Sequence, residues 1–431
     1  MDPGRRADDS AAVTTIEAKT RPARYGDVFR DRVFTVVFGS RTLSITANTL
    51  RMYALSVLVF EHTGSALLTA LAFGIGFVPQ VIGGTLLGAL ADRLRPRGLI
   101  VAGFLLDSAV AAALALVPLP VAASLGLVAV AATLTPIFQG VSNRVVAESL
   151  TGDAYVLGRS LFSVASAGAQ LVGLAVGALA VAQLGPTQAL LVTAACQLAA
   201  AGSARFGLPR LDALPPVPGR AVGQSWSVTV RLWRDRTVRS LLLVQWLPPA
   251  CVTAAEALFV PYAAQRGFPA GSAGLLMASV PVGMLLGNLV VGRLVPPPTR
   301  ERLVAPLLVL LGAPMVGFAL PVHLWLTAGL AFLAGVGFSY SLGLQRVFLD
   351  ALDPQVRGQA FALQFTGIMT LQGVGPLVTG ALAEVAPIAL VMTVAGLAPI
   401  AIAVGWRFVD PTTARSGREH VDRGSQGAAD A

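Results

Sequence analysis

The chain has 431 residues, of which 55% are hydrophobic and only 12% are charged, and its mean hydropathy is +0.72. A soluble protein carries about twice that share of charged residues, so the composition excludes an ordinary soluble domain and predicts a protein that crosses the membrane repeatedly. The net charge of +9 does not indicate a nucleic-acid partner, because the basic residues lie in segments that alternate with apolar stretches.

Apolar stretches of about 20 residues, long enough to cross a bilayer as helices, recur along the whole chain. All Lys and Arg residues except Arg41, Arg51 and Arg266 fall on one side of the resulting topology, which by the positive-inside rule is cytoplasmic. The sequence therefore predicts an all-α polytopic membrane protein with both termini in the cytoplasm. Its twelve predicted spans are 33–60, 65–90, 99–118, 121–147, 157–182, 185–207, 239–264, 272–295, 303–320, 323–348, 357–382 and 385–408.

Composition divides the chain into two apolar halves and three polar segments. Residues 1–28 are polar and have no apolar core of the kind found in a cleavable signal peptide. We predict an N-terminal six-helix half over 29–207 and a C-terminal six-helix half over 239–409. A polar, proline-rich cytoplasmic linker over 208–238 joins them, and a polar tail follows over 410–431.

Short motifs recur in the same order in both halves, displaced by about 200 residues, which predicts two parallel six-helix repeats. The sequence Arg30-Asp31-Arg32 before the first span recurs as Arg234-Asp235-Arg236 before the seventh. Pro79 matches Pro281, and GTLLG at 84–88 matches GMLLG at 283–287. Arg144 and Glu148 at the end of the fourth span match Arg346 and Asp350 at the end of the tenth.

A glycine-rich helix end followed by a charged loop separates the second and third spans. Gly84 and Gly88 lie on one helix face, where a neighbouring backbone can approach closely. Asp92 follows where the helix leaves the membrane, and Arg93, Arg95 and Arg97 come next. This G-x-x-x-D-R pattern with basic residues resembles the signature loop of the major facilitator superfamily, with Pro96 standing where that family usually has a basic residue.

The resemblance covers roughly residues 28–409 and implies the major facilitator fold with a secondary transporter that works by alternating access. It also implies that Asp92 interacts with the N-terminal end of the eleventh helix near Gly358, so that the loop acts as a conformational switch. The sequence Thr63-Gly64-Ser65 together with Pro79 and Asp107 is similar to bacterial siderophore and macrolide exporters. Two motifs of proton-driven exporters are altered: Pro136 replaces an arginine in the fourth span, and the fifth span has no proline.

Ionisable residues inside the apolar spans are costly to bury and therefore indicate function. Glu256 and Asp107 are the candidate proton carriers, and Asn48 and Arg51 are further candidates for the substrate pathway. The three ionisable residues each have a structural alternative. Glu256 could be solvated near the outer interface, Asp107 could be a hydrated or ion-paired carboxylate near the cytoplasmic face, and Arg51 could extend outward to the interface. The resemblance places the seventh helix, which carries Glu256, beside the central path.

Prolines inside two spans predict helix breaks that line a cavity, because a proline leaves a backbone carbonyl without its donor. One break is predicted at Pro248 and Pro249 in the seventh span. The other is predicted at Gly375 and Pro376 in the eleventh span.

Arg144 with Glu148 and Arg346 with Asp350 have the i, i+4 spacing of helical ion pairs. They are either solvated pairs worth under about 1 kcal/mol each or a gate that holds the cytoplasmic side closed against the loop at 92–97.

No pattern in the sequence predicts an enzyme. A glycine-rich phosphate loop with Lys and Ser or Thr is missing from the sequence, and His62, His323 and His420 are scattered, so neither a cofactor nor a metal site is expected. The predicted function is proton-coupled efflux of a bulky amphipathic small molecule, such as a drug, antibiotic or siderophore, by a monomer in the bacterial plasma membrane. The alternatives are an importer of a small solute and a membrane sensor or scaffold that transports nothing.

Overall fold

The structure, a computed structural model, describes residues 25–87, 95–150, 152–209, 222–269, 271–353 and 356–406. Within these ranges the regular structure is entirely helical, with one 3₁₀ turn at Gly317–Ala319. The α-helices are α1 Tyr25–Arg30, α2 Arg32–Thr63, α3 Ala66–Gly74, α4 Val78–Leu87, α5 Pro96–Leu116, α6 Val121–Ser149, α7 Gly152–Leu184, α8 Pro186–Gly207, α9 Val222–Arg234, α10 Arg236–Glu256, α11 Phe259–Gln265, α12 Ser272–Leu294, α13 Pro297–Arg302, α14 Val304–Val316, α15 Leu324–Gly337, α16 Tyr340–Ala351, α17 Arg357–Ala383 and α18 Ile388–Trp406.

Eleven segments of the described chain are long and apolar enough to cross a membrane, and the shorter apolar helix Val304–Ala319 supplies a twelfth. The second span joins α3 to α4 through a turn, and the tenth joins α15 to α16 in the same way. The predicted all-α bundle of twelve spans is confirmed.

The two halves repeat the same helix packing. In the N-terminal half α2 packs on α7 and α8, α4 on α6, and α5 on α8. In the C-terminal half α10 packs on α17 and α18, α12 on α15, and α14 on α18. We call the end of the bundle where α2 begins at Arg32 the terminal face, and the end where α2 finishes at Thr63 the opposite face.

The recurring Arg-Asp-Arg motif has a structural role in both halves. The Asp31 carboxylate caps the N-terminus of α2 by accepting a hydrogen bond from the Phe34 amide at 2.6 Å. Asp235 caps α10 in the same way, accepting from the amides of Thr237 and Val238 at 2.8 and 3.1 Å. Each first span therefore begins where an aspartate satisfies the free amides of its first turn.

Glycines bring corresponding pairs of helices into backbone contact in the two halves. A Cβ atom at Gly83 would overlap the Thr133 carbonyl of α6, and one at Gly283 would overlap the Phe332 carbonyl of α15. The prediction that Gly84 makes the close approach is wrong. Gly84 is exposed, and a Cβ atom there would lie 3.6 Å from the Pro136 side chain, an ordinary contact.

The predicted helix breaks at the prolines are also wrong. Helix α10 continues through Pro248 and Pro249, and α17 continues through Gly375 and Pro376. Pro248 leaves the Val244 carbonyl without its helical donor, and the hydroxyl of Tyr340 donates to that carbonyl at 3.1 Å instead. A tertiary hydrogen bond thus replaces the missing helical one, so α10 does not have to end there.

The apolar core differs between the halves. One large cluster fills the C-terminal half and extends to Tyr53 and Phe73 of the N-terminal half. The core of the N-terminal half consists of two clusters, one around Phe34 and Ile100 toward the terminal face, the other around Leu50 and Val110 toward the opposite face. Along α5, Asp107 lies between these two clusters, so the division of the core coincides with a buried polar layer.

Candidate functional site

A cavity of about 500 Å³ lies between the two halves. Most of its wall is apolar, and aromatic and methionine side chains come from both halves. The side chains that give the wall its polar character are Asn48, Thr49, Arg51, Gln80, Thr135, Gln139, Gln170, Thr253, Glu256 and Gln372. The volume falls within the range of small-molecule sites, about 300–1,000 Å³, which are likewise mostly apolar with a few placed polar groups.

The extensive contacts between the halves lie toward the opposite face. Helix α7 meets α12 there, and a Cβ atom at Gly274 would overlap Ala178. Helix α3 meets α17, where Gly380 packs against Leu67 and Ala70. The described chain therefore adopts a state in which the halves are joined on the opposite-face side of the cavity.

A hydrogen bond between side chains also links the halves at the opposite face. The Glu384 carboxylate, at the end of α17, accepts from the Ser65 hydroxyl at 2.6 Å and from the Leu67 amide at 2.9 Å. These hydrogen bonds hold the pKa of Glu384 below its usual range. The ionised carboxylate thus lies at the N-terminus of α3, where the helix dipole favours negative charge.

The N-terminal half places a charged pair at the cavity. The Arg51 guanidinium on α2 lies 3.6 Å from the Asp107 carboxylate on α5, and the two side chains are 13% and 15% exposed. The amide nitrogen of Asn48 donates to the other Asp107 oxygen at 3.5 Å. The expected hydrated position of Asp107 near an interface is wrong, because α5 carries it halfway along its length into the polar layer.

Arg51 faces the cavity rather than an interface. The amide oxygen of Asn48 is buried without a hydrogen-bond partner in the described chain, and the Arg51 nitrogen that faces Asp107 makes the ion pair at 3.6 Å but no hydrogen bond. Unsatisfied buried polar atoms beside a cavity are groups that a ligand could satisfy.

The C-terminal half contributes a single carboxylate. Glu256 is the last residue of α10, and the chain then turns at Ala257 and Leu258 before α11 begins. The side chain lines the cavity, and none of the described hydrogen bonds or ion pairs involves it. Glu256 therefore brings to the cavity a carboxylate that is not committed to another protein group within the described chain.

Arg144 and Glu148 of α6, and Arg346 and Asp350 of α16, form the expected i, i+4 pairs. Their nitrogen–oxygen distances are 3.3 Å for the first pair and 3.7 Å for the second. Both carboxylates and Arg346 are exposed, so each pair contributes little to stability by itself. Their predicted role as a gate stays a prediction.

The switch loop is described only in part. Gly88, Asp92 and Arg93 lie outside the described residues, so the predicted contact of Asp92 with the eleventh span stays a prediction. Arg95 is the residue before α5, and Arg97 donates to the carbonyl of Arg205 near the end of α8. Arg97 thus ties the third span to the sixth at the terminal face.

Sequence reasoning missed most of the amide side chains of the cavity and how they are held. Gln372 of α17 donates to the Thr253 hydroxyl of α10 at 3.2 Å, and both side chains line the cavity. The signal was present, because glutamines inside otherwise apolar spans are costly unless they face a polar cavity. Among the described residues no group of three or more His, Cys, Asp or Glu side chains could hold a metal ion.

Comparisons with known proteins agree with this architecture. The sequence matches the family model of the Major Facilitator Superfamily over residues 37–350. The comparison with curated proteins gave no match.

Several solved transporters have a similar fold. The peptide transporter POT in complex with alafosfalin aligns with a TM-score of 0.67 at 14% identity, covering 89% of this chain and 95% of its own. The nucleoside transporter NupG aligns with a TM-score of 0.69 at 12% identity, covering 87% and 99%. A bacterial homolog of the human lysosomal transporter Spinster, inward-facing and unoccupied, aligns with a TM-score of 0.60 at 14% identity, covering 86% and 94%.

Proposed function

Because this chain belongs to the major facilitator superfamily and is therefore a membrane transporter for small molecules, we propose that it is a proton-coupled exporter of bulky amphipathic molecules. The terminal face would be cytoplasmic, as the distribution of arginines predicts. Drugs, antibiotics and siderophores are the substrate classes that the resemblance to siderophore and macrolide exporters suggests.

The cavity wall supports this substrate class. Aromatic rings such as Phe73, Phe77 and Phe365 and the thioethers of Met52 and Met277 offer apolar, adaptable contacts. The amide side chains offer hydrogen bonds without charge. Arg51, which also lines the cavity, forms an ion pair with the Asp107 carboxylate. A large, mostly apolar molecule with dispersed polar groups fits such a wall better than a small sugar or anion does.

The observation that carries the proposal is the position of Glu256. Its carboxylate lines the cavity without an ion-pair partner in the described chain, whereas Asp107 is opposite Arg51. A proton carrier has to gain and lose its proton during each cycle, and a neighbouring guanidinium holds a carboxylate in its charged form. Glu256 would take up a proton while the cavity faces outward, and would release it inward as the next substrate binds.

Reconstituted protein in liposomes with an imposed pH gradient tests this function. We expect the wild-type protein to accumulate a substrate against its concentration gradient. Glu256→Gln should accumulate the substrate at least about tenfold more slowly while retaining downhill exchange. Glu301→Gln, on α13 away from the cavity, is the matched control and should transport normally. Uphill export by Glu256→Gln would exclude Glu256 as the carrier and make Asp107 the next candidate.

A further inference from the structure

The linker between the halves contains a helix, α9, that packs on the C-terminal half. Val228 and Leu232 lie one helical turn apart and contact the apolar core of that half, and Leu232 is buried. Arg231 and Arg234 are exposed to solvent. Helix α9 is therefore amphipathic over its last two turns, with one side fixed to the protein and basic side chains on the outside.

An aromatic stack fixes α9 to the start of the seventh span. The ring of Trp233 stacks on that of Trp246 in α10, with centroids 5.6 Å apart and planes inclined by 16°. The indole N–H of Trp246 donates to the Gln364 carbonyl of α17 at 2.9 Å. Helix α9 also contacts both α10 and α17. Its position is thus set by the membrane-spanning part of the protein.

Four arginines cluster where α9 ends and α10 begins. We call Arg231, Arg234, Arg236 and Arg239 the α9 basic surface. The first three are exposed and the fourth is half-buried. Asp235 lies among them, but it accepts hydrogen bonds from the amides of Thr237 and Val238. None of the ion pairs in the described chain involves these four guanidinium groups, so the surface keeps an excess of positive charge over the single carboxylate of Asp235.

We propose that the α9 basic surface binds the headgroups of anionic phospholipids. The cluster lies at the first residues of a membrane span, Arg236–Glu256, and therefore at the depth of the lipid phosphates. Trp233 is 41% exposed beside it, and tryptophan favours this interfacial depth because its ring is amphipathic. Basic clusters on amphipathic helices next to a span bind acidic lipids, with a gain of about fivefold in affinity per arginine.

A soluble acidic partner is the competing occupant, and position favours the lipid. The cluster is continuous with the end of a span, where headgroups are present at high local concentration, whereas a soluble partner would have to displace them. Phosphate groups also match the forked geometry of guanidinium groups, which can donate two parallel hydrogen bonds to one phosphate.

Native mass spectrometry of the full-length protein in detergent, titrated with phosphatidylglycerol and separately with phosphatidylcholine, tests the proposal. We expect the protein to bind phosphatidylglycerol more tightly, and Arg231→Gln/Arg234→Gln to weaken that binding about 20-fold. Arg293→Gln/Arg302→Gln is the matched control, because it removes two exposed arginines from the same face outside the α9 basic surface. Its affinity for phosphatidylglycerol should stay within about twofold of the wild type, as for other dispersed surface charges.

A photoactivatable phosphatidylglycerol, with the cross-linked peptides identified by mass spectrometry, locates the site directly. Cross-links within residues 228–239 that disappear in Arg231→Gln/Arg234→Gln would support the proposal. Equal weakening by both double variants, or no preference for phosphatidylglycerol, would overturn it. So would binding of a polyglutamate peptide that is lost in the Arg231→Gln/Arg234→Gln variant while lipid binding is unchanged.

Discussion

In the N-terminal half, Arg51 and Asp107 neutralise each other inside the membrane, whereas the C-terminal half places Glu256 at the same cavity without an ion-pair partner among the described residues. Counted from the shared Arg-Asp-Arg motif, Glu256 corresponds to Met52, the neighbour of Arg51. The two halves therefore direct their first helices at the cavity in the same way but give them different chemistry.

Features that build the helical scaffold recur in both halves, while the charged groups at the cavity do not. Asp31 and Asp235 cap equivalent helices, and Gly83 and Gly283 allow equivalent backbone contacts. The divided core and buried polar layer belong to the N-terminal half alone. The N-terminal half therefore holds a charged pair, while the C-terminal half holds a carboxylate without an ion-pair partner among the described residues.

Removing one partner of the Arg51–Asp107 ion pair should cause the largest decrease in the free energy of unfolding. Arg51→Met leaves the Asp107 carboxylate buried without its counter-charge, and we expect the free energy of unfolding to fall by about 3–5 kcal/mol. The double variant Arg51→Met/Asp107→Leu removes both charges and should recover most of that loss. Denaturant titration in detergent micelles measures both values.

Arg41→Met is the matched control for that series. Arg41 lies on the same helix, stacks on the Phe162 ring at 5.3 Å and donates to Asn143, so no carboxylate is stranded when it is removed. A loss as large in Arg41→Met as in Arg51→Met would show that the ion pair is not the cause.

The C-terminal half has its own dependence on a single tertiary contact. Tyr340→Phe removes the hydroxyl that donates to the Val244 carbonyl, which Pro248 has deprived of its helical donor. A buried acceptor left without a donor costs about 1–3 kcal/mol, so we expect that decrease in unfolding free energy. The control is Tyr155→Phe in the N-terminal half. Tyr155 packs against the core with its ring, and no described hydrogen bond involves its hydroxyl. A decrease of similar size in both variants would contradict this role of Tyr340.

The sequence predicted the scaffold well because each of its signals is local. Apolar length identified the spans, the Arg-Asp-Arg repeat identified where each half begins, and the costly charges identified Arg51, Asp107 and Glu256 as residues of interest. The glycine prediction failed by one residue, since Gly83 and Gly84 are adjacent and only the packing against Thr133 distinguishes their faces.

The same local reasoning could not find compensation by distant residues. Pro248 and Pro249 predicted a break in α10, and this prediction was wrong. The hydroxyl that satisfies the freed Val244 carbonyl comes from Tyr340, nearly a hundred residues later, where local sequence reasoning does not reach. The depth of Asp107 was also misjudged, because hydropathy says that a helix spans the membrane but not where along it the polar layer lies. The composition of residues 208–238 predicts a polar linker and not helix α9. The arginines of α9 lower its average hydropathy, although Val228 and Leu232 form an apolar side.

The smallest expected effect concerns the contact between the halves at the opposite face. Ionised Glu384 accepts hydrogen bonds from Ser65 and Leu67, which lowers its pKa. A carboxyl whose pKa is lowered in one state stabilises that state at pH values above its ordinary pKa. That stabilisation disappears as the pH falls through the lowered value. Acid should therefore weaken the joint between α3 and α17 and favour opening of the opposite face.

Spin labels at Gln183 and Val385, with Cys196 and Cys251 replaced by alanine, report the distance between the halves at that face. We expect the population with the longer distance to rise in the wild type as the pH is lowered. In Glu384→Gln this population should be larger by a factor of a few already at neutral pH and should not change with pH. Glu61→Gln at the end of α2 is the control, because it removes a carboxylate from the same face but leaves the Glu384 hydrogen bonds in place. If the distances respond to pH equally in wild type and Glu384→Gln, another group controls this face, and the joint at Ser65 is a passive contact.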